Sequence, residues 1–97
     1  MSRIALSRRA ERDLRRIGRT EALARLREAL EGRAVGEANL DVKPLAGSAP
    51  WHRLRVGDYR VLYRAVEPNE AGDSDALFLV ARVIHRRDLE RAVATLE

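Results

Sequence analysis

An α+β fold follows from three patterns in this chain of 97 residues. Apolar residues recur at helical spacing through the first third. Residues 51–64 then alternate around a Gly-Asp pair, and residues 76–84 form an almost unbroken apolar run. Helices gathered before strands, rather than alternating with them, predict helices packed on one face of a small, mainly antiparallel sheet. The length fits one domain, 1–97, with a core that needs no metal or disulfide.

Arg3–Leu6 is short and apolar at its end, a candidate first strand. Ser7 suits the N-cap of a helix, with Glu11 in the early turns and Ala10, Leu14 and Ile17 on one stripe. Gly18 fits its end. Thr20 can cap a second helix whose stripe is Leu23, Leu26 and Leu30, and Gly32 fits its end. This helical hairpin carries Arg8, Arg9, Arg12, Arg15, Arg16, Arg19, Arg25 and Arg27, which read first as a solvated face and second as a surface for RNA or a protein partner. Residues 32–50, with Gly36, Asn39, Pro44, Gly47 and Pro50, read as loop.

Gly57-Asp58 places glycine at the first central position of a two-residue hairpin turn, as type II′ requires. With that turn Val56 faces Tyr59, Arg55 faces Arg60, Arg53 faces Leu62 and Trp51 faces Arg64. Directly opposed residues share a face. Arg53, Arg55, Arg60 and Arg64 therefore lie together with Trp51 and Leu62, while Leu54, Val56, Tyr59, Val61 and Tyr63 form a core face that also takes His52. Like charges placed opposite one another destabilise a sheet, so the arrangement points to an anion such as phosphate; solvated arginines on a wet face are the alternative. Residues 67–75 read as an acidic turn, Ala76–Ile84 as a central strand, and Asp88–Leu96 as a closing helix.

The net charge is +4 and the isoelectric point about 10.6, which favours an acidic partner, either nucleic acid or an acidic protein segment. Of the 19 basic residues all but Lys43 are arginine. Arginine presents a bidentate fork to phosphate. An alanine- and leucine-rich composition also fits a GC-rich genome, which accounts for the preference over lysine but not for where the arginines sit. With no cysteine, thiol catalysis and cysteine-held zinc are excluded. No apolar run approaches membrane-spanning length and the N-terminus has no signal-peptide core, so a cytoplasmic protein is the expectation.

Taken in order, the N-terminal strand and helical hairpin, Lys43-Pro44-Leu45-Ala46-Gly47, the run Trp51–Tyr63 and Val83-Ile84-His85-Arg86-Arg87-Asp88 resemble the RelE toxins of the RelE/ParE superfamily over nearly the whole chain. The resemblance implies a RelE-like fold and a toxin of a bacterial type II toxin–antitoxin pair. Such toxins are ribosome-dependent mRNA endonucleases, neutralised by a cognate antitoxin, and reach operator DNA only through the antitoxin complex. The partners implied are the antitoxin, the ribosome and mRNA; no cofactor, metal or membrane is expected.

RNA cleavage through the 2′-hydroxyl needs a proton acceptor, stabilisation of phosphoryl charge and a donor for the leaving oxygen. By resemblance, Arg60 and Arg86 match phosphate-stabilising arginines and Arg53 a basic residue of the preceding strand. In some members that residue is a lysine linked to proton transfer, which arginine cannot replace. His85 is the candidate for proton transfer because histidine is the residue type suited to exchanging protons near neutral pH. Lys43, Arg55, Arg64 and Arg87 are the expected further RNA contacts. The competing reading of each arginine is a surface ion pair, and of His85 a strand-end histidine bonded to backbone. Trp51 replaces a residue that is often basic; it either stacks on a base or packs inward. The tyrosine that many members carry in the last helix is missing from Asp88-Leu89-Glu90-Arg91-Ala92. Its absence keeps two alternatives open: a ParE-like inhibitor of DNA gyrase, and a degenerate member that only binds its antitoxin.

Overall fold

The computed structural model describes residues 4–18, 20–34, 36, 40–67 and 76–96. Its elements are β1 (Ile4–Leu6), α1 (Arg8–Ile17), α2 (Glu21–Ala34), β2 (Asp41–Pro44), β3 (His52–Val56), β4 (Tyr59–Ala65), β5 (Phe78–His85), a 3-10 turn (Arg86–Asp88) and α3 (Leu89–Ala94). The strands form one sheet in the order β1-β5-β4-β3-β2, antiparallel except for β1 beside β5. The predicted α+β class holds. The segment read as an acidic turn lies outside the described residues from 68 to 75.

Both helix starts behave as expected. Ser7 Oγ accepts from the Ala10 backbone N–H at 3.0 Å, and Thr20 Oγ1 from that of Leu23 at 3.3 Å. Gly18 ends α1 at a φ of 76°, in the left-handed region where glycine carries no steric cost. Gly32 does not end α2: the helix runs through it to Ala34, and Gly36 at φ 80° is the next left-handed residue. An interior glycine costs about 1 kcal/mol against alanine. That is outweighed by buried Leu26 and Leu30 and by the last turn, where Arg33 Nε donates to Tyr63 Oη at 3.0 Å and the guanidinium lies 4.4 Å from the Phe78 ring centroid.

The region read as loop also holds a strand, β2, whose four residues are too few to show a period. Pro44 is tolerated there because β2 is the outer strand of the sheet and one of its sides needs no ladder donor. The closing helix is shorter than expected, its first turn being 3-10.

One core lies between the sheet and the helical hairpin, with Leu26, Leu30, Leu54, Val61, Tyr63, Val80 and Val83 at its centre. A smaller one lies on the opposite face, where α3 sets Ala92 over Leu62 and Ile84. The face expected to be an open basic surface is therefore partly roofed by α3.

β1 stops at Leu6, leaving the far half of β5 without a neighbouring strand on that side. Ser7, the N-cap of α1, and Asp13 of α1 supply what the missing strand would. The Ser7 N–H donates to Val80 O at 2.9 Å, and Ser7 Oγ donates to Ala81 O at 2.8 Å. Asp13, 6% exposed, accepts the Val83 backbone N–H at 2.9 Å and a two-toothed bond from Arg82, Nε at 2.8 Å and Nη2 at 3.1 Å. That bond, ahead of the opposing effect of burial, holds the Arg82 pKa above its ordinary value. No helix among the described residues is long and apolar enough to cross a membrane.

Removing one member of a buried, hydrogen-bonded pair typically costs about 3–5 kcal/mol. Asp13→Ala is accordingly expected to lose roughly 3 kcal/mol in urea unfolding, with the denaturant slope unchanged. A loss below about 1 kcal/mol would show that solvent replaces the carboxylate without penalty.

Candidate nucleic-acid interface

The β3–β4 hairpin has the register expected from its sequence. Gly57 has a φ of 59° and no non-glycine residue among those described has a positive φ, so that of Asp58 is negative and the turn is type II′. Val56 pairs with Tyr59, Arg55 with Arg60 and Arg53 with Leu62. The β2–β3 ladder adds Asp41 opposite Arg55 and Lys43 opposite Arg53. Lys43, Arg53, Arg55 and Arg60 thus share the face of Leu62, with Asp41 among them.

Each guanidinium in the row is held differently. Arg60 Nη1 donates to the carbonyls of Gly57 at 3.0 Å and Tyr59 at 2.9 Å, which folds the side chain over the turn. Arg53 Nη1 reaches Asp41 Oδ1 at 3.4 Å. Arg55 is exposed. Arg86 comes from the end of β5: its backbone N–H donates to Asp58 O at 2.7 Å, and its Nε lies 3.8 Å from Asp58 Oδ1. The hairpin tip therefore fixes where Arg86 begins. Burial, then the fields of Arg55, Arg53 and Arg86, lower the Arg60 pKa from its ordinary value, with Asp41 opposing. Arg60 remains charged at any physiological pH, and it sits in an electrostatic environment that an anion would relieve.

Three other expected residues lie elsewhere. Arg64 is folded onto Trp51, with its guanidinium 5.7 Å from the ring centroid, and donates to Ala65 O at 3.1 Å. Trp51 itself is 8% exposed, so its ring packs inward rather than offering a stacking surface. Arg87 belongs to a cleft at the margin of β5. His85 pairs with Tyr59 across the β4–β5 ladder and so occupies the core-side face, opposite Arg60. Its ring meets Tyr59 edge-on at 5.9 Å, and its Nδ1 accepts from the Arg87 backbone N–H at 3.2 Å, capping the 3-10 turn. As the candidate for proton transfer, His85 is thus set apart from the row: the strand's alternation turns it away from those arginines. His52 pairs with Tyr63 and stacks on it at 5.7 Å. Both histidines and both tyrosines of the chain therefore lie on the face away from the row.

Asp41 was hidden in the segment read as loop; Leu40 and Val42, two apart beside it, were the available signal. Among the described residues no cluster of histidine and acidic side chains is placed to hold a metal ion.

Residues 4–90 match the family described as "ParE toxin of type II toxin-antitoxin system, parDE". The chain belongs to that family. No curated protein sequence matches the toxin. Among solved structures it is similar to the RelB-RelE antitoxin-toxin complex from Methanococcus jannaschii, at TM-score 0.68 and 20% identity over 91% of this chain and 96% of that one. It is also similar to the archaeal RelE-RelB complex from Pyrococcus horikoshii OT3, at TM-score 0.56 and 22% identity over 89% and 97%. These likenesses extend to the fold. The toxin is thus a type II toxin–antitoxin protein of RelE/ParE architecture.

Asp41 competes for the guanidiniums that an anion would bind. Asp41→Asn is expected to cost at most about 1 kcal/mol in stability, as exposed ion pairs do, while eluting from heparin at higher salt than wild type. Elution at unchanged or lower salt would show that Asp41 does not screen the row.

Proposed function

We propose that the toxin inhibits translation by cleaving mRNA on the ribosome, with the arginine row as its phosphate clamp, and that a cognate antitoxin neutralises it. The observation that carries this reading is the convergence of Arg53, Arg55 and Arg60 on one sheet face with Arg86 near enough to act on Arg60. A repulsive cluster on a rigid ladder gains most from a ligand with two or more negative oxygens, and arginine forks match phosphoryl oxygens. Lys43 extends the row along the strand direction. An antitoxin partner is supported by the family and by the two similar structures, both of antitoxin-toxin complexes.

In this scheme the chain contributes charge stabilisation and positioning. Proton transfer falls to a group other than the row's arginines, because arginine does not deprotonate, and the histidines and tyrosines face the other way. That same separation favours a second reading, gyrase inhibition of the ParE type, which needs a binding surface and no base.

In vitro translation of a defined message with purified toxin, with cuts mapped by primer extension and a ribosome-free control, separates the two. Ribosome-dependent cuts within codons are expected, and intact message with folded toxin would favour gyrase as the target. Arg60→Ala and Arg86→Ala should each lower cleavage by about 100-fold, the scale seen when one stabilising donor is removed, with the fold and antitoxin binding retained. Undiminished growth arrest by both variants would remove the row from the activity.

A further inference from the structure

The outer margin of β5 beyond β1 opens into a cleft of about 400 Å³ between α1 and α3. Arg9 and Arg16 enter it from α1, Arg87 from the 3-10 turn and Arg91 from α3. Tyr59 and His85 also line it. Two carboxylates reach it. Asp13 is consumed by Arg82 and the Val83 N–H, and Asp88 is left against the four remaining arginines. Among the described residues none of those four guanidiniums makes a hydrogen bond or ion pair.

Helical spacing explains why these arginines gather. Arg9, Asp13 and Arg16 follow one another at intervals of four and three residues, so they share one stripe of α1. Asp13 anchors that stripe to β5 and thereby points Arg9 and Arg16 into the concavity. Arg8, Arg12 and Arg15 share another stripe, exposed and outside the cleft. Unpaired positive charge lining a concavity concentrates field and attracts anions more strongly than the same charge on a convex surface.

We propose that this cleft is a second RNA-binding site, holding the phosphate backbone of a single strand that also contacts the arginine row. Consecutive residues Arg86 and Arg87 divide between the two: Arg86 stands beside the hairpin tip and Arg87 in the cleft. A strand passing around the end of β5 meets arginine on both sides. An acidic peptide would satisfy the charges equally, but the Tyr59 and His85 rings in the lining favour a ligand that carries bases. The proposal rests on the RNA reading above for the kind of strand, and not on cleavage.

The test is anisotropy of a labelled, single-stranded 2′-O-methyl oligoribonucleotide, which binds but offers no nucleophile for cleavage. Wild type, Arg9→Gln/Arg16→Gln/Arg91→Gln and Arg8→Gln/Arg12→Gln/Arg15→Gln are titrated over a range of salt. The two triple variants lose equal charge, and the five α1 residues and Arg91 that they alter are all exposed, so folding is retained and is checked by thermal melting. Each phosphate contact on a single strand contributes about 0.7 to the slope of log affinity against log salt. The cleft variant is expected to lose up to about 2 from that slope and at least tenfold in affinity at low salt, with the control close to wild type. Equal losses in both variants would reduce the cleft to net charge and overturn the site. So would absent binding by wild type, or a cleft variant that binds RNA normally yet loses polyglutamate. A toxin that cleaves nothing but shows the expected slopes would fail the proposed activity and keep the cleft.

Discussion

The carboxylate of Asp13 holds together parts of the molecule that the chain leaves far apart. It lies on α1, and its partners, Arg82 and the Val83 amide, are about seventy positions later on β5. A parallel β1 of three residues cannot cover an eight-residue β5, so some group must satisfy the donors and acceptors beyond Leu6. Ser7 and Asp13 do this one after the other along α1. The helical hairpin is thereby locked in angle against the sheet, and the larger core of Leu26, Leu30, Val61 and Val83 can close beneath it. The same anchor sets which stripe of α1 faces the margin of β5.

The hairpin of β3 and β4 carries the opposite kind of interaction. Leu54 and Val61 pair on its buried side and are wholly enclosed, while Arg55 and Arg60 repel one another on the other side. Burial of one such aliphatic side chain contributes about 1.5–3 kcal/mol, against roughly 0.2–1 kcal/mol lost to an opposed like-charge pair. The core side prevails, so the arginines are held at fixed spacing against their own repulsion. The backbone positions of these arginines are thus set in advance, and an anion would draw the Arg60 and Arg53 side chains from the Gly57 and Tyr59 carbonyls and from Asp41. α3 borders it through Ala92 on Leu62 and Ile84, which limits the basic surface to the β2–β3–β4 side.

What could be read in the residues was local. The turn at Gly57-Asp58 and the alternation on both sides of it determine each other, so the faces of Arg53, Arg55 and Arg60 followed directly. The caps at Ser7 and Thr20 are equally local. His85 was different. Its face depends on how β5 aligns with β4 across a long connection, and that ladder contains an irregularity between Leu62 and Tyr63. A shift of one residue there exchanges the faces, and no nearby turn specifies it. β2 was missed because a strand of four residues with one half-buried position carries almost no pattern. Gly32 misled because the contacts that carry α2 past it, from Arg33 to Tyr63 and Phe78, are thirty or more positions away.

The margins of the sheet bear on self-association. An exposed strand edge is a template on which a second copy can polymerise. Here β1 offers three residues, and β2 offers four that include Asp41, Lys43 and Pro44. The remaining stretch of bare edge, on β5, is closed by hydroxyl and carboxylate groups of α1 rather than left to solvent. A chain with 45% hydrophobic residues thus presents, among its described strands, no long, flat edge from which a fibril could grow.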